Sequence, residues 1–182
     1  MLVSASPRRR ELLKNLGLSF TVKKPDTEEK IRDSHYRQDI IRVTLEKINS
    51  VSCRPGQLLI ACDTIVVCGK KVLGKPRNAG EARKFLQLLS GRKHKVLSCV
   101  AVKAVRKTGV ILRHKTVATK VYFRKISAAE IKAYTKTPVP YDKAGAYGIQ
   151  SGKGLFVRKI TGCYYNVVGL PVSNLLDMLM AI

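Results

Sequence analysis

The stretch LLIACDTIVVC, residues 58–68, constrains this chain most. Its β-branched and apolar content predicts a buried strand, and GKKVLGKP (69–76) continues it as a hairpin. A strand of this kind needs cover, and helical and strand patterns do alternate along the rest of the chain. The class is therefore α/β or α+β, with one central mixed sheet. Asp63 interrupts the most apolar strand in the protein. A carboxylate there is either structurally paired or functional, because an unpaired buried charge is costly. Position alone leaves both open. Thr64 beside it supplies a hydroxyl. Lys75, in the turn before Pro76, can return a cation toward the same end of the sheet, although a turn lysine is more often plain surface.

The other elements follow from spacing. Leu2 to Ser4 reads as a short first strand, feeding a helix from Pro7 to Leu16. A second helix spans about Tyr36 to Ser50, with Ile41, Leu45 and Ile48 as its apolar stripe. Asn78 and Glu81 form a capping pair for a helix carrying Ala82, Phe85, Leu86 and Leu89, closed by Gly91. KVLSCVAVKAV (95–105) and TVATKVYF (116–123) read as strands, and Ser127 with Glu130 caps a short helix. GLFVRKI and CYYNVVG read as two strands joined by Thr161-Gly162. Pro171 starts a C-terminal helix with Val172, Leu175, Leu176 and Leu179 inward. No repeat or linker composition divides the chain, so residues 1–182 are expected to form one domain.

At the N-terminus, SASPRRRELL places three arginines in the first turn of a helix. Ser6 suits the N-cap and Pro7 the first helical position. That end of a helix already carries partial positive charge, so cations there are unfavourable unless an anion joins them. Free amides and arginine forks together make a phosphate site. The plainer alternative is a solvated charge run.

Thirty-five Lys and Arg against 12 Asp and Glu give a formal charge of +23. A field of this size attracts polyanions such as nucleotides, nucleic acid or an anionic membrane surface. The charge is spread along the chain rather than gathered in a tail, which argues against a dedicated nucleic-acid arm. The five cysteines are odd in number and lack a C-x-x-C pair, as expected of reduced structural thiols in a cytoplasmic protein. His35, His94 and His114 are too scattered for a zinc site. No signal-peptide pattern opens the chain, and no apolar run approaches membrane-spanning length.

PYDKAGAYGIQSGKG (140–154) is rich in small residues and glycines, including Gly145, Gly148, Gly152 and Gly154. Such a segment lets backbone approach a ligand, with Gln150 as an amide reader, or is simply a glycine-rich surface loop.

In order and approximate spacing, SASPRRRELL, CDTIVV, GKPRNAGEA, SGRKHKVLSCVAV, DKAGAYGIQSG and VVGLPV resemble the Maf family, from Leu2 to about Leu176. The resemblance implies an α/β fold of the inosine-triphosphatase-like type: an elongated mixed sheet with flanking helices around a substrate cleft. It implies a nucleoside triphosphate pyrophosphatase, a hydrolase of acid anhydrides with a house-cleaning role in the nucleotide pool, working with Mg or Mn and often as a homodimer. It implies Ser4, Arg8, Arg9, Lys47, Lys75 and Gln150 as substrate-binding residues and Asp63 as the proton acceptor. Arg8, Thr64 and Gln150 are associated with base selection. Glu29 is implied as a metal ligand, with Asp63 as a second one. Arg10 lies outside the pattern. Val3, Cys62 and Ser151 stand where the family usually has alanine, alanine and glycine. Arginine after Ser-Pro matches the branch resembling dTTP and UTP pyrophosphatases; tryptophan there marks a branch resembling 7-methyl-GTP pyrophosphatases.

Two other classes compete. A basic nucleic-acid-binding protein is favoured by the charge but lacks tryptophan and a known binding motif, so no specific nucleic-acid partner is expected. A cell-division (septum) regulator without catalysis has no need of Asp63, Lys75 and Gln150. Neither reading nor the enzyme reading involves a membrane.

Overall fold

A computed structural model describes residues 1–150 and 155–182. Strands β1 (Leu2–Val3), β2 (Val22–Lys23), β3 (Leu58–Cys68), β4 (Lys71–Leu73), β5 (Lys93–Arg106), β6 (Gly109–Phe123) and β7 (Val157–Thr161) form a seven-stranded sheet. Its order is β2-β1-β3-β5-β6-β7, with β4 paired to β3. Among the described residues, six α-helices accompany them: α1 (Pro7–Asn15), α2 (Tyr36–Asn49), α3 (Ala79–Leu89), α4 (Ala128–Tyr134), α5 (Tyr164–Val168) and α6 (Val172–Met180), with a short 3-10 turn at Ala144–Ala146. The pairing is mixed, since β1 runs parallel to β2 and β3, whereas β3–β4 and β6–β7 are antiparallel. This is the mixed α/β architecture read from the sequence.

The chain divides into two compact units. The first comprises Met1–Thr64, Ser98–Val117 and Gly169–Ile182; the second comprises Ile65–Leu97 and Ala118–Val168. Strands β3, β5 and β6 give residues to both, so each long strand has two sets of neighbours along its length.

In the first unit, Val3, Ile48, Val51, Leu59, Ala61 and Ala101 pack together as a core cluster. α1 buries Leu12 and Leu13, and α6 buries Val172 and Leu175. α2 faces inward with Ile40, Val43, Thr44, Lys47 and Ile48, so the expected stripe is rotated; Ile41 and Leu45 lie at its flank. Two polar residues account for the rotation. Thr44 Oγ1 donates to Ile40 O at 2.7 Å, and Lys47 is held by carboxylates, so both are buried without unmet polar groups.

In the second unit, the Asn78 side chain accepts from Glu81 N to cap α3, and Ser127 with Glu130 forms a full capping box on α4. β6 begins at Gly109 rather than Thr116, directly after a turn at Lys107-Thr108 that makes β5–β6 a hairpin. CYYNVVG is not a strand: Tyr164–Val168 forms α5. Gly162 turns the chain at φ +123°, and the Thr119 hydroxyl then pins Cys163 through both its N–H and its carbonyl. Buried Asn166 donates to Val96 O at 3.1 Å and to Thr119 Oγ1 at 3.0 Å. These side-chain bonds override a strand propensity that depends on context.

His94, Phe123 and Tyr147 pack edge to face in the core of this unit, and His94 Nε2 lies 2.7 Å from the Tyr147 hydroxyl. Burial lowers the His94 pKa from 6.5 to about 4. Between those values the unfolded chain takes up a proton that the folded one refuses, so stability is lost as pH falls from 6.5 toward 4. The loss is about 3 kcal/mol. Urea unfolding at pH 7.0 and 4.5 should show it in the parent protein and lack most of it in His94→Gln; equal pH dependence would contradict this origin.

Candidate active site

Successive side chains of a strand leave opposite faces, and β3 uses both at Cys62-Asp63-Thr64. Asp63 points to α2, where Lys47 Nζ donates to Asp63 Oδ1 at 2.6 Å and to Glu29 Oε1 at 2.6 Å. Lys47 and Asp63 are both buried, while Glu29 is about half exposed, with 48% of its side chain accessible. Asp63 Oδ2 is buried with no hydrogen-bond partner. Burial raises the Asp63 pKa above the usual 3.8, opposed by the Lys47 and Arg9 cations and reinforced by Glu29. The carboxyl thus keeps an open oxygen beside a cation, with its proton affinity raised. That is the state a general base requires.

On the other face lies Arg9. Its Nε donates to Gly169 O at 2.8 Å, Nη1 to Ser4 Oγ at 3.1 Å and Nη2 to Thr64 Oγ1 at 3.1 Å. Thr64 Oγ1 also lies 2.9 Å from Ser98 Oγ and donates to Gly169 O at 3.2 Å. Ser4 Oγ accepts from Ser6 N at 3.1 Å, which links this network to the start of α1. Ser6 holds the N-cap position but makes no capping bond with its own hydroxyl. Arg8 stands half-buried one residue before Arg9, and exposed Arg10 reaches Ala5 O at 3.4 Å. Burial raises the Cys62 pKa to about 11, so this thiol is structural rather than nucleophilic.

The first unit therefore brings together Ser4, Arg9, Thr64, Lys47, Asp63 and Glu29, with Arg8 adjacent. Lys75 and Gln150 belong to the second unit. There Gly145 N donates to Gly74 O at 3.0 Å, so the glycine-rich segment is bonded next to Lys75. Gly145 sits at φ +70°, and a Cβ on it would lie 3.0–3.1 Å from three Val66 side-chain atoms, so only glycine fits. Lys75 and Gln150 are both exposed. Gly152, Gly154 and Ser151 lie outside the described residues.

Sequence reading missed Ser98 and the carbonyl of Gly169. Ser98 has a signal of the same kind as Asp63: a polar residue, fully buried, inside the apolar run VLSCVAV. No group of three or more His, Cys, Asp and Glu gathers among the described residues. Asp63 with its open Oδ2, and Glu29 on the same lysine, still fit a divalent cation held by one or two carboxylates plus substrate phosphates.

A buried carboxylate with an open oxygen, a lysine clamped to it and an arginine braced by three groups define a site for an anionic substrate and proton transfer. The Maf-like protein family model matches residues 1–182, and the chain belongs to this family. It is 45% identical over 175 residues to a protein of Anaeromyxobacter dehalogenans strain 2CP-1 named dTTP/UTP pyrophosphatase, covering 96% of this chain and 89% of that one. Proteins of the same name from Geotalea uraniireducens and Clostridium botulinum strain Kyoto are 41% and 42% identical, across 98% and 99% of this chain and 92% and 95% of theirs.

Proposed function

We propose that this protein hydrolyses the α–β phosphoanhydride of dTTP and UTP, releasing the nucleoside monophosphate and pyrophosphate. The observation that carries the reading is the open, buried Oδ2 of Asp63 beside Lys47, in a family whose similar members bear that name. Asp63 Oδ2 accepts the proton of the attacking water. Lys47, released from one carboxylate, shares the phosphate charge with Arg9 and Ser4. Arg8 offers donors to the carbonyl edge of a pyrimidine. Lys75 and Gln150 are carried over as substrate-binding residues from the family resemblance. Asp63 and Glu29 would hold Mg or Mn, which neutralises phosphate charge and lowers the pKa of bound water. The whole chain acts as one pyrophosphatase domain, a reading supported by the single family match across residues 1–182. All five cysteines are free thiols, which suits a reducing, cytoplasmic setting. Among the described residues, no helix is long and apolar enough to cross a membrane.

Product analysis tests the reaction. With dTTP and Mg²⁺ the expected products are dTMP and pyrophosphate, and release of orthophosphate with dTDP would sink the proposal. A panel of dTTP, UTP, CTP, GTP, ITP and 7-methyl-GTP should show the highest kcat/KM for dTTP or UTP. A maximum at 7-methyl-GTP or ITP would remove Arg8 from base selection.

A further inference from the structure

Strands β5, β6 and β7 carry lysine and arginine but neither Asp nor Glu. In the second unit their antiparallel pairing sets these side chains in rows. On the β7 side, Lys120 lies opposite Thr161 and Tyr122 opposite Lys159. On the β5 side, Phe123 N donates to Arg92 O at 3.0 Å, a register that sets Tyr122 beside Lys93 and Lys120 beside Lys95. Directly opposed residues share a face. One row therefore reads Lys93, Tyr122, Lys159 and the next Lys95, Lys120, Thr161. The intervening His94 and Val121 point into the core instead. All four lysines and Thr161 are exposed, and Tyr122 is half-buried. Lys159 Nζ lies 5.8 Å from the centre of the Tyr122 ring. With neighbouring strands about 4.8 Å apart and alternate residues about 7 Å apart along a strand, the four lysines stem from backbone within about 12 Å.

Nothing in the second unit neutralises this face. Its three carboxylates are Glu81, Glu130 and Asp142, and each is paired elsewhere, with Arg77, Arg124 and Lys143. Like charges directly opposite each other in a sheet, as at Lys95 and Lys120, are unfavourable until an anion joins them. The residue types say which anion. Lysine is depleted from protein–protein interfaces and meets phosphate as a point charge. Besides its lysines the face presents Ala118, Tyr122 and Thr161, so it has no large aliphatic side chain to enter a lipid layer. An aromatic ring between two lysines is a stacking platform flanked by phosphate contacts, the combination that holds single strands.

We propose that this face binds single-stranded nucleic acid without regard to sequence, through phosphates at Lys93, Lys95, Lys120 and Lys159 and a base stacked on Tyr122. None of these residues belongs to the candidate active site, so the proposal is independent of the pyrophosphatase reading. The probe is a labelled oligo(dA) of roughly 12 nucleotides with a 5′-hydroxyl, within the size range of single-strand sites, titrated by fluorescence anisotropy across a salt series. Lys95→Gln/Lys120→Gln removes two contacts, so the slope of log affinity against log salt should become shallower by about 1.4, or about 0.7 for each phosphate. Lys107→Gln/Lys136→Gln removes the same charge from exposed positions off this face and should leave the slope unchanged. Tyr122→Ala should weaken the single strand about tenfold and leave a duplex of equal length unaffected. All these variants should hydrolyse dTTP like the parent. Equal slope changes in the two double variants would mean that net charge alone attracts the strand, and would overturn the proposal. So would loss of dTTP turnover on changing the face, which would assign it to the substrate site. Binding of polyglutamate or phosphatidylserine vesicles that Lys95→Gln/Lys120→Gln abolishes, with oligo(dA) binding intact, would give the face to an acidic protein or a membrane and would equally end it.

Discussion

Asp63→Asn is expected to lower the rate of dTTP hydrolysis by at least about 100-fold while the protein stays folded. The substitution preserves size, and the asparagine carbonyl can still accept from Lys47, but no group remains at Oδ2 to take the proton of water. The buried carboxylate is costly to ionise where it sits, since burial already raises its pKa above 3.8. Lys47 loses this partner but keeps Glu29 at 2.6 Å, so the stability lost should be smaller than in Lys47→Met. The pH profile gives a second readout. A base acts in its ionised form, so kcat/KM falls as pH drops through the Asp63 pKa, and the acid limb should lie above the ordinary 3.8. Asp63→Asn should lose that limb along with the rate. A variant of near-normal rate would take Asp63 out of the chemistry.

Lys47→Met is the change with the largest expected effect on stability. It keeps the aliphatic stem that packs on the inner face of α2 but leaves Asp63 buried without its cation. Breaking a buried pair by removing one partner costs about 3–5 kcal/mol. The sign with pH follows from linkage. Without Lys47 the folded-state pKa of Asp63 rises further above its unfolded value, so the folded protein binds the extra proton. Stability is then best at low pH and is lost as pH rises through the raised pKa. Urea unfolding should show a large deficit at pH 8 that shrinks toward pH 5. An equal deficit at both would mean that Asp63 is not the group left charged. Glu29, half exposed, finds water instead and contributes little to the difference.

Much of the site was legible because it breaks local rules. Asp63 in an apolar strand and arginines at a helix N-terminus are locally unfavourable, and each stands in one of the two clusters of the first unit. Lys47 breaks a rule of the same kind. It lies on the face of α2 that carries Ile40, Val43 and Ile48, whereas the stripe expected from spacing runs through Ile41, Leu45 and Ile48. Ser98 was equally visible in VLSCVAV, but a buried serine is common enough to draw no attention without its partners. The contacts of Thr64 could not be read at all, because they come from residues at positions 9, 98 and 169.

The sequence by itself determined the strands and helices whose patterns are strong over many residues, their caps, the mixed α/β class and the family. These depend on neighbours within a few positions: period-two and helical spacing, Asn78 and Ser127 beside the amides they cap, and motifs in fixed order. Tertiary structure decided where distant segments compete with local preference. Asn166 and Thr119 turned a β-prone run into α5, Lys47 and Thr44 rotated the buried face of α2, and β3, β5 and β6 were each shared between two compact units without any change in composition to mark the place. Those outcomes depend on which buried polar groups find partners across the fold, and a partner a hundred residues away leaves no mark on the local pattern.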